Sequence, residues 1–284
     1  MTIPKRIIVS RKGFDSKYGA RPSPILESGQ MVSLPIPEEG NGLRYRDLPA
    51  PGSIGTLGDL VERIRSKNVN SRTGVHLDPD LRRELHRDKK RPWRPLFGQR
   101  DAAAKHLENQ GVADGDLFLF FGWFRRIDAD FSYQTLAHDE HVLWGWLQID
   151  LSFDPEGEQP EWARHHPHCI QKKGKNNRVY VGRRNLTFAP SKPGAGVFSG
   201  YDLRLRLTHP DHGRQRSYWR LPSFFQGRLT YHATAKWACD LGKMASVSSA
   251  KIGQEFVLQT ARCEEEVAKW LEKLFDPVSD GASY

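Results

Sequence analysis

The sequence predicts an α+β fold, a single domain with a central, mostly antiparallel mixed sheet flanked by helices. Three observations carry this. The middle of the chain holds the apolar runs Leu117–Phe121 and Val142–Phe153, which have the length and composition of buried strands. Leu57, Leu60, Val61 and Ile64 near one end, and Val267, Trp270, Leu271 and Leu274 near the other, repeat at helical spacing. Strand and helix patterns do not alternate regularly, which argues against a doubly wound parallel sheet. With 284 residues, 38% hydrophobic and 27% charged, the chain can bury a core. The domain is expected over residues 1–275, with a long loop at 19–55, a mobile stretch at 67–74 and a frayed tail at 276–284.

Taken in order, Ile7–Ser10 is a short apolar strand. Residues 19–55 are rich in Pro and Gly and read as an ordered loop. Thr56 is placed to cap the helix that follows. Asp78-Pro79-Asp80-Leu81 has the form of a helix start, with Asp78 as cap and Pro79 at the first helical position. Lys89–Arg94 is a basic turn around Trp93. Asp101–Gln110 reads as a helix closed by Gly111. Val179–Val181 is a strand, and Leu203, Leu205 and Leu207 alternate with Arg204 and Arg206 as in a strand with one basic face. His209–Gly213 suggests a hairpin turn into Ser217–Leu221. Ala233–Leu241 reads as a helix, Phe256–Leu258 as a strand, and the last helix follows.

Lys and Arg together number 43 against 34 Asp and Glu, a net charge of +9, which favours a polyanionic partner. The 3 cysteines are too few for a disulfide framework and fit a reducing compartment. The opening MTIPKRIIVSRKG breaks its apolar run with charge, so it is not a signal peptide, and no window suits a membrane helix. A cytoplasmic protein with no membrane partner is the expectation. The chain lacks a dinucleotide fingerprint, a P-loop, a nucleophile elbow, the zinc-deaminase signature and any C-x-x-C. Chemistry that uses water alone demands least of what is missing, so no cofactor and no metal are expected.

Five constellations could carry chemistry. In Ser10–Ser16, Arg11 and Lys12 could hold phosphate and Asp15 could act as a base, or the segment is a polar turn. In His76–Asp80, paired carboxylates and a histidine could bind a metal or share a proton, while Asp78 equally suits a helix cap. His165, His166, His168 and Cys169 invite a metal, but neighbours in an extended chain point apart and Pro167 stiffens the segment. Glu255, beside an apolar strand, suits acid–base work if buried, and Gln254 can pair with a base edge; a salt-bridged glutamate is the plainer alternative. Aromatic and basic residues interleave around Trp93, Trp123, Tyr180 and Trp219, as stacking platforms with phosphate contacts or as core beside a solvated face. Trp144 and Trp146 share a strand face with Gln148, as the wall of a pocket for a flipped base would.

The stretches SRKGFDS, PSPI, SLPIP, HLDPDL, NQGV, GDLFLFFGWFR, GWLQI, HPH and GQEFVL occur in this order over residues 8–258. Together they resemble the third type of the nucleotide modification associated domain family. The segment GDLFLFFG with the tryptophan-rich strand after it also resembles base-reading PUA-type barrels. The family resemblance implies a setting in phage and bacterial systems that make or act on hypermodified DNA bases. Its motif residues correspond to Arg11, Lys12, Asp15, His76, Asp78, Asp80, Gln99, Asn109, Gln110, Gln148, His168, Gln254 and Glu255 of this chain.

The function expected is a DNA glycosylase that hydrolyses a hypermodified base from DNA, a reaction suited to conflict with phages. Asp15, Asp78 and Glu255 are the candidate catalytic carboxylates. Arg11, Lys12, Gln99, Trp123, Arg125, Trp146, Gln148, His168, Tyr180 and Gln254 are the candidate contacts to base and DNA. Two alternatives stay open: an enzyme that installs or elaborates a modification, metal-dependent if the histidines converge, and a non-enzymatic reader of modified bases.

Overall fold

The computed structural model describes residues 2–86, 92–171, 174–212, 215–226, 229–230, 237–239, 244–249 and 255–275. In chain order the strands and helices are β1 (Arg6–Arg11), β2 (Ser23–Ile25), α1 (Leu57–Arg63), β3 (Leu96–Gln99), α2 (Asp101–Asn109), β4 (Leu117–Arg126) and β5 (Glu140–Phe153). There follow α3 (Pro167–Ile170), β6 (Arg178–Gly182), β7 (Ala195–Val197), β8 (Tyr218–Pro222), β9 (Leu229–Thr230), β10 (Trp237–Cys239), β11 (Met244–Ser248), β12 (Glu255–Gln259) and α4 (Glu264–Phe275).

A 9-stranded sheet runs in the order β3-β6-β5-β4-β1-β12-β9, with β2 added to β4 and β7 to β5. Only the β1–β4 and β2–β4 pairings are parallel, so the sheet is mixed and mostly antiparallel, as expected. A 3-stranded sheet, β10-β11-β8, stands apart from it. β4 lies at the centre because its LFLFFGWF run can be buried on both faces. The sheet curls strongly. Phe97 on the outermost strand, β3, reaches back to Phe118 and Phe120 of β4, with ring centroids 4.8 Å and 5.1 Å away. That curl brings the ends of β1, β3 and β12 together, and the site described below forms there.

Helices cover the sheet on its outer sides. α2 packs beside β12, and Phe275 of α4 meets Trp146 at 5.1 Å and Phe188 at 5.4 Å. Thr56 caps α1 through a reciprocal capping box with Asp59, a feature worth about 1 kcal/mol. The apolar face of α1, with Leu57, Leu60 and Val61, joins Phe14, Leu34, Tyr45 and Val75 in a second core under the long N-terminal loop. Residues 70–74 run back along that loop, where Thr73 accepts from Tyr45 and Ser71 from Arg46 through backbone carbonyls.

Three elements differ from the sequence reading. No helix starts at Asp78; the chain from Val75 to Arg82 is irregular, with a bend at Pro79, and a single 3-10 turn forms at Arg83–Leu85. The alternation at 203–207 belongs to a 3-10 turn, Leu203–Leu205, that docks Leu205 and Leu207 and leaves Leu203 exposed. Trp237–Cys239, inside the expected helix 233–241, is a strand paired with β11; the rest of that helix, residues 89–91 of the turn at 89–94 and the tail lie outside the described residues. Among the described residues no helix is long and apolar enough to cross a membrane.

Candidate active site

β1 ends at Arg11, whose charge neighbours are Asp15 and Arg216, and Lys12 after it stands over Phe97 of β3, with the Lys12 N–H bonded to the Phe121 carbonyl at 2.8 Å. The turn that follows needs Gly13. Its φ is +88°, and a Cβ there would sit 3.0 Å from Ser33 Oγ. Asp15 closes the turn, accepting from the backbone N–H groups of Lys17 and Tyr18, each at 2.7 Å. Opposite lie the irregular segment with His76 and Asp78, the end of β3 with Gln99, and α3 with His168. They enclose a cavity of about 200 Å³ lined by Arg11, Lys12, Asp15, Tyr18, Ile36, His76, Asp78, Gln99, Arg100 and His168.

Asp78 forms the back of this cavity. Its Oδ1 accepts from the Gly98 backbone N–H at 2.7 Å and lies 3.2 Å from His166 Nε2. Its Oδ2 faces His76 Nε2 at 3.7 Å, His168 Nε2 at 3.8 Å and Lys12 Nζ at 3.9 Å. Burial opposes the charge, but His166, His76 and Lys12 outweigh it and hold Asp78 well below the usual carboxylate range. His76 Nδ1 donates to Glu38 at 2.5 Å. Burial works against Glu38 as well, yet its bonds from His76 and Asn41 hold it down at about 2. His168 Nδ1 donates to Asn177 Oδ1 at 2.8 Å, while the Asn177 amide donates to the His168 carbonyl at 3.0 Å. Burial pushes His168 down to about 4, so the ring is neutral with its proton on Nδ1.

Glu255 sits just behind the cavity wall. Ser10 Oγ donates to it at 2.9 Å, the Gln99 amide also donates to it, and Lys12 Nζ lies 4.0 Å away. Burial raises its carboxyl to about 7, against the pull of Lys12, Ser10 and Gln99. Lys12 also stands 4.3 Å over the Phe97 ring, so one ammonium bridges Asp78 and Glu255 on an aromatic floor.

The nucleotide modification associated domain 3 family matches residues 6–259. The chain belongs to that family. Every residue of the cavity falls inside the matched span, and the family's description associates the domain with nucleotide modification. No curated protein and no solved structure matches the chain.

Within this nucleotide modification associated domain, the candidates read from the sequence are partly gathered and partly dispersed. Arg11, Lys12, Asp15, Asp78, Gln99 and His168 line the cavity. Tyr180 lies beneath its floor, stacked on Phe97 at 5.8 Å. Trp123 lies under the Arg216 guanidinium at 4.0 Å, and Arg216 in turn donates to Ser16 Oγ on the rim. Arg125 donates to the Gln134 carbonyl at 2.7 Å, and Trp146 donates to the Pro193 carbonyl and packs on α4. Gln148 is fully buried; its amide donates to Gly115 O and Thr187 Oγ1 and its carbonyl accepts from Thr187 N. Gln254 lies outside the described residues. The helix cap expected at Asp78 gives way to a bond with β3, because no helix follows it.

The histidines separate by face, as the extended-chain argument required, though on a short helix. His166 and His168 turn to Asp78. His165 turns to Asp80, which it meets at 3.0 Å, beside His86 at 2.8 Å and the Trp93 indole N–H at 3.0 Å. Cys169 packs into a small core with Leu96 and Val179. Glu38, Arg100 and Asn177 escaped the sequence reading. Each lies in a loop or at an element end where no periodicity marks it.

Proposed function

We propose that the chain is an enzyme that takes a modified base of DNA into the 76–99 cavity and hydrolyses its N-glycosidic bond. The observation that carries this reading is the pairing of a buried, charged Asp78 with the Lys12 ammonium on the wall of a base-sized pocket. At about 200 Å³ the cavity exceeds the ~30 Å³ share of one water several-fold. It is smaller than the ~300–1,000 Å³ of drug-sized ligand sites. A single flipped base is of the right order and a dinucleotide cofactor is not.

Each wall has a role in that reaction. The Asp78 carboxylate supplies the fixed negative charge that stabilises the oxocarbenium-like transition state. Lys12 hydrogen-bonds the departing base, and Gln99, anchored by Glu255, reads the base edge. Arg11 and Arg100 on the rim hold flanking phosphates. Glu255 acts through Lys12 as a positioning residue, and Asp15 shapes the turn that presents Arg11.

The test is incubation of the purified chain with DNA containing glucosylated hydroxymethylcytosine, and with unmodified DNA. Abasic sites are read by alkaline cleavage and free base by mass spectrometry. Release from modified DNA alone, lost in Asp78→Asn and cut at least ~100-fold in Lys12→Met, supports the reading. Intact DNA bound in a modification-dependent way, with both variants unaffected, makes the protein a reader instead.

A further inference from the structure

Several groups beyond the proposed reaction could bind something. A groove between α4 and the 203–207 turn is basic and aromatic, but nothing in the structure shows what covers it. The Asp80 cluster looks like a cation site until its bonds are counted: Oδ2 already accepts from His86, His165 and Trp93 at 2.8–3.0 Å. Hydrogen bonds satisfy it without an ion. The Asp78 cluster differs on that point.

Oδ2 of Asp78 and the two imidazole Nε2 atoms of His76 and His168 lie 3.7 Å and 3.8 Å apart, beyond hydrogen-bond reach. All three atoms lie within 4.8 Å of one another, and all three side chains are buried. Two ligands at about 2.0–2.2 Å from one ion stand roughly 3–4 Å apart across it. The spacing here is that of a cradle rather than of a hydrogen bond.

The outer contacts point the same way. His76 gives its Nδ1 proton to Glu38, His168 gives its Nδ1 proton to Asn177, and Asp78 Oδ1 is held by the Gly98 N–H. Each ligand is thereby oriented by its second atom and turns the first inward, as metal ligands are. The three side chains line the cavity, so positions on the ion would stay open to a bound substrate.

We infer that His76, Asp78 and His168 bind one divalent first-row transition ion, with its remaining positions open to the cavity. Two imidazoles and one carboxylate suit zinc, iron or manganese better than calcium or magnesium. This departs from the expectation of a metal-free site. Lys12 contends for the same oxygen at 3.9 Å and keeps Glu255 as its second partner when the ion is in place.

The chemistry of the ion rests on the hydrolytic reading; its binding does not. The ion acidifies a bound water. The resulting hydroxide oxygen bonds to C1′ as the C1′–N pair leaves with the base. Lys12 gives the base a proton and regains one from solvent, where the water's own proton went.

The experiment strips the full-length protein with a chelator, then titrates Zn²⁺ by calorimetry and Co²⁺ by its visible spectrum. One equivalent is expected in the wild type, with a Co²⁺ spectrum of nitrogen and oxygen ligands. Affinity should fall at least ~100-fold in His168→Ala and ~10–100-fold in Asn177→Leu, in protein whose circular dichroism is unchanged. His165→Ala on the neighbouring cluster should bind like the wild type. Absence of a bound equivalent, or binding as tight as the wild type's in both His76→Ala and His168→Ala, overturns the site. Metal bound without base release refutes the hydrolytic reading alone; base release by the stripped protein equal to that of the loaded protein refutes the ion's part in the chemistry, while the titration alone decides the site.

Discussion

Gly98 and His168 occupy one space: a Cβ on residue 98 would collide with the His168 ring. The same Gly98 donates its N–H to Asp78. A backbone position without a side chain thus sets two walls of the cavity at once. Gly98→Ala is expected to push His168 off Asn177 and to cost about 1–3 kcal/mol by overpacking. In a His168→Ala background the same change should cost much less. A urea double-mutant cycle reads the coupling; additive costs would mean that His168 does not hold the position described.

Glu255 carries a pH-dependent cost. Its folded value, about 7, lies above the ordinary 4.5 because burial favours the neutral form. The folded state therefore holds this proton more tightly than the unfolded chain. Stability falls as pH rises from about 4.5 to about 7, and the penalty is complete above that. Lys12, Ser10 and Gln99 face the carboxyl, and Asp78 adds negative charge nearby. Glu255→Gln should match the wild type near pH 5 and exceed it near pH 8 by up to about 3 kcal/mol. Urea midpoints at the two pH values check this; an equal difference at both removes the buried acid.

The fold was legible where local pattern and tertiary role agree. β1, β4 and β5 announce themselves because central strands need unbroken apolar runs, and α1 because Thr56 and Asp59 cap it locally. Trp237–Cys239 escaped because its strand state depends on pairing with Met244–Ser248, which no local propensity encodes. The site follows the same division. Lys12, Asp78, Gln99 and His168 were legible through family likeness. The joining of His76 and Asp78 with His168 was not, since it depends on the curl of the sheet and on one turn of α3. Glu38 and Asn177 act through side-chain hydrogen bonds to residues far along the chain or within one loop, and such bonds leave no period in a sequence.

Gln148 separates a structural amide from a base-reading one. Its amide and carbonyl are spent on Gly115 and Thr187 in a buried setting. Gln148→Ala should lower stability by about 1–3 kcal/mol, the cost of leaving buried partners unmet. DNA affinity per folded molecule should not change. A filter-binding titration on protein quantified by folded fraction decides it; loss of base preference at full stability would return Gln148 to the site.

Arg100 sits on the cavity rim, 3.4 Å from Glu38, while Arg125 is turned to Gln134 and Asp139 away from that rim. If the rim holds a phosphate, Arg100→Gln should weaken DNA binding about equally for all sequences. It should also reduce the slope of log affinity against log salt by about 1. Arg125→Gln, lying outside the cavity, should leave the slope unchanged. Slopes measured between 50 and 200 mM salt on one DNA distinguish the two arginines. A change at Arg125 with none at Arg100 would move the DNA track from the rim toward the far end of β4, and the cavity would then admit a free nucleotide rather than a flipped base.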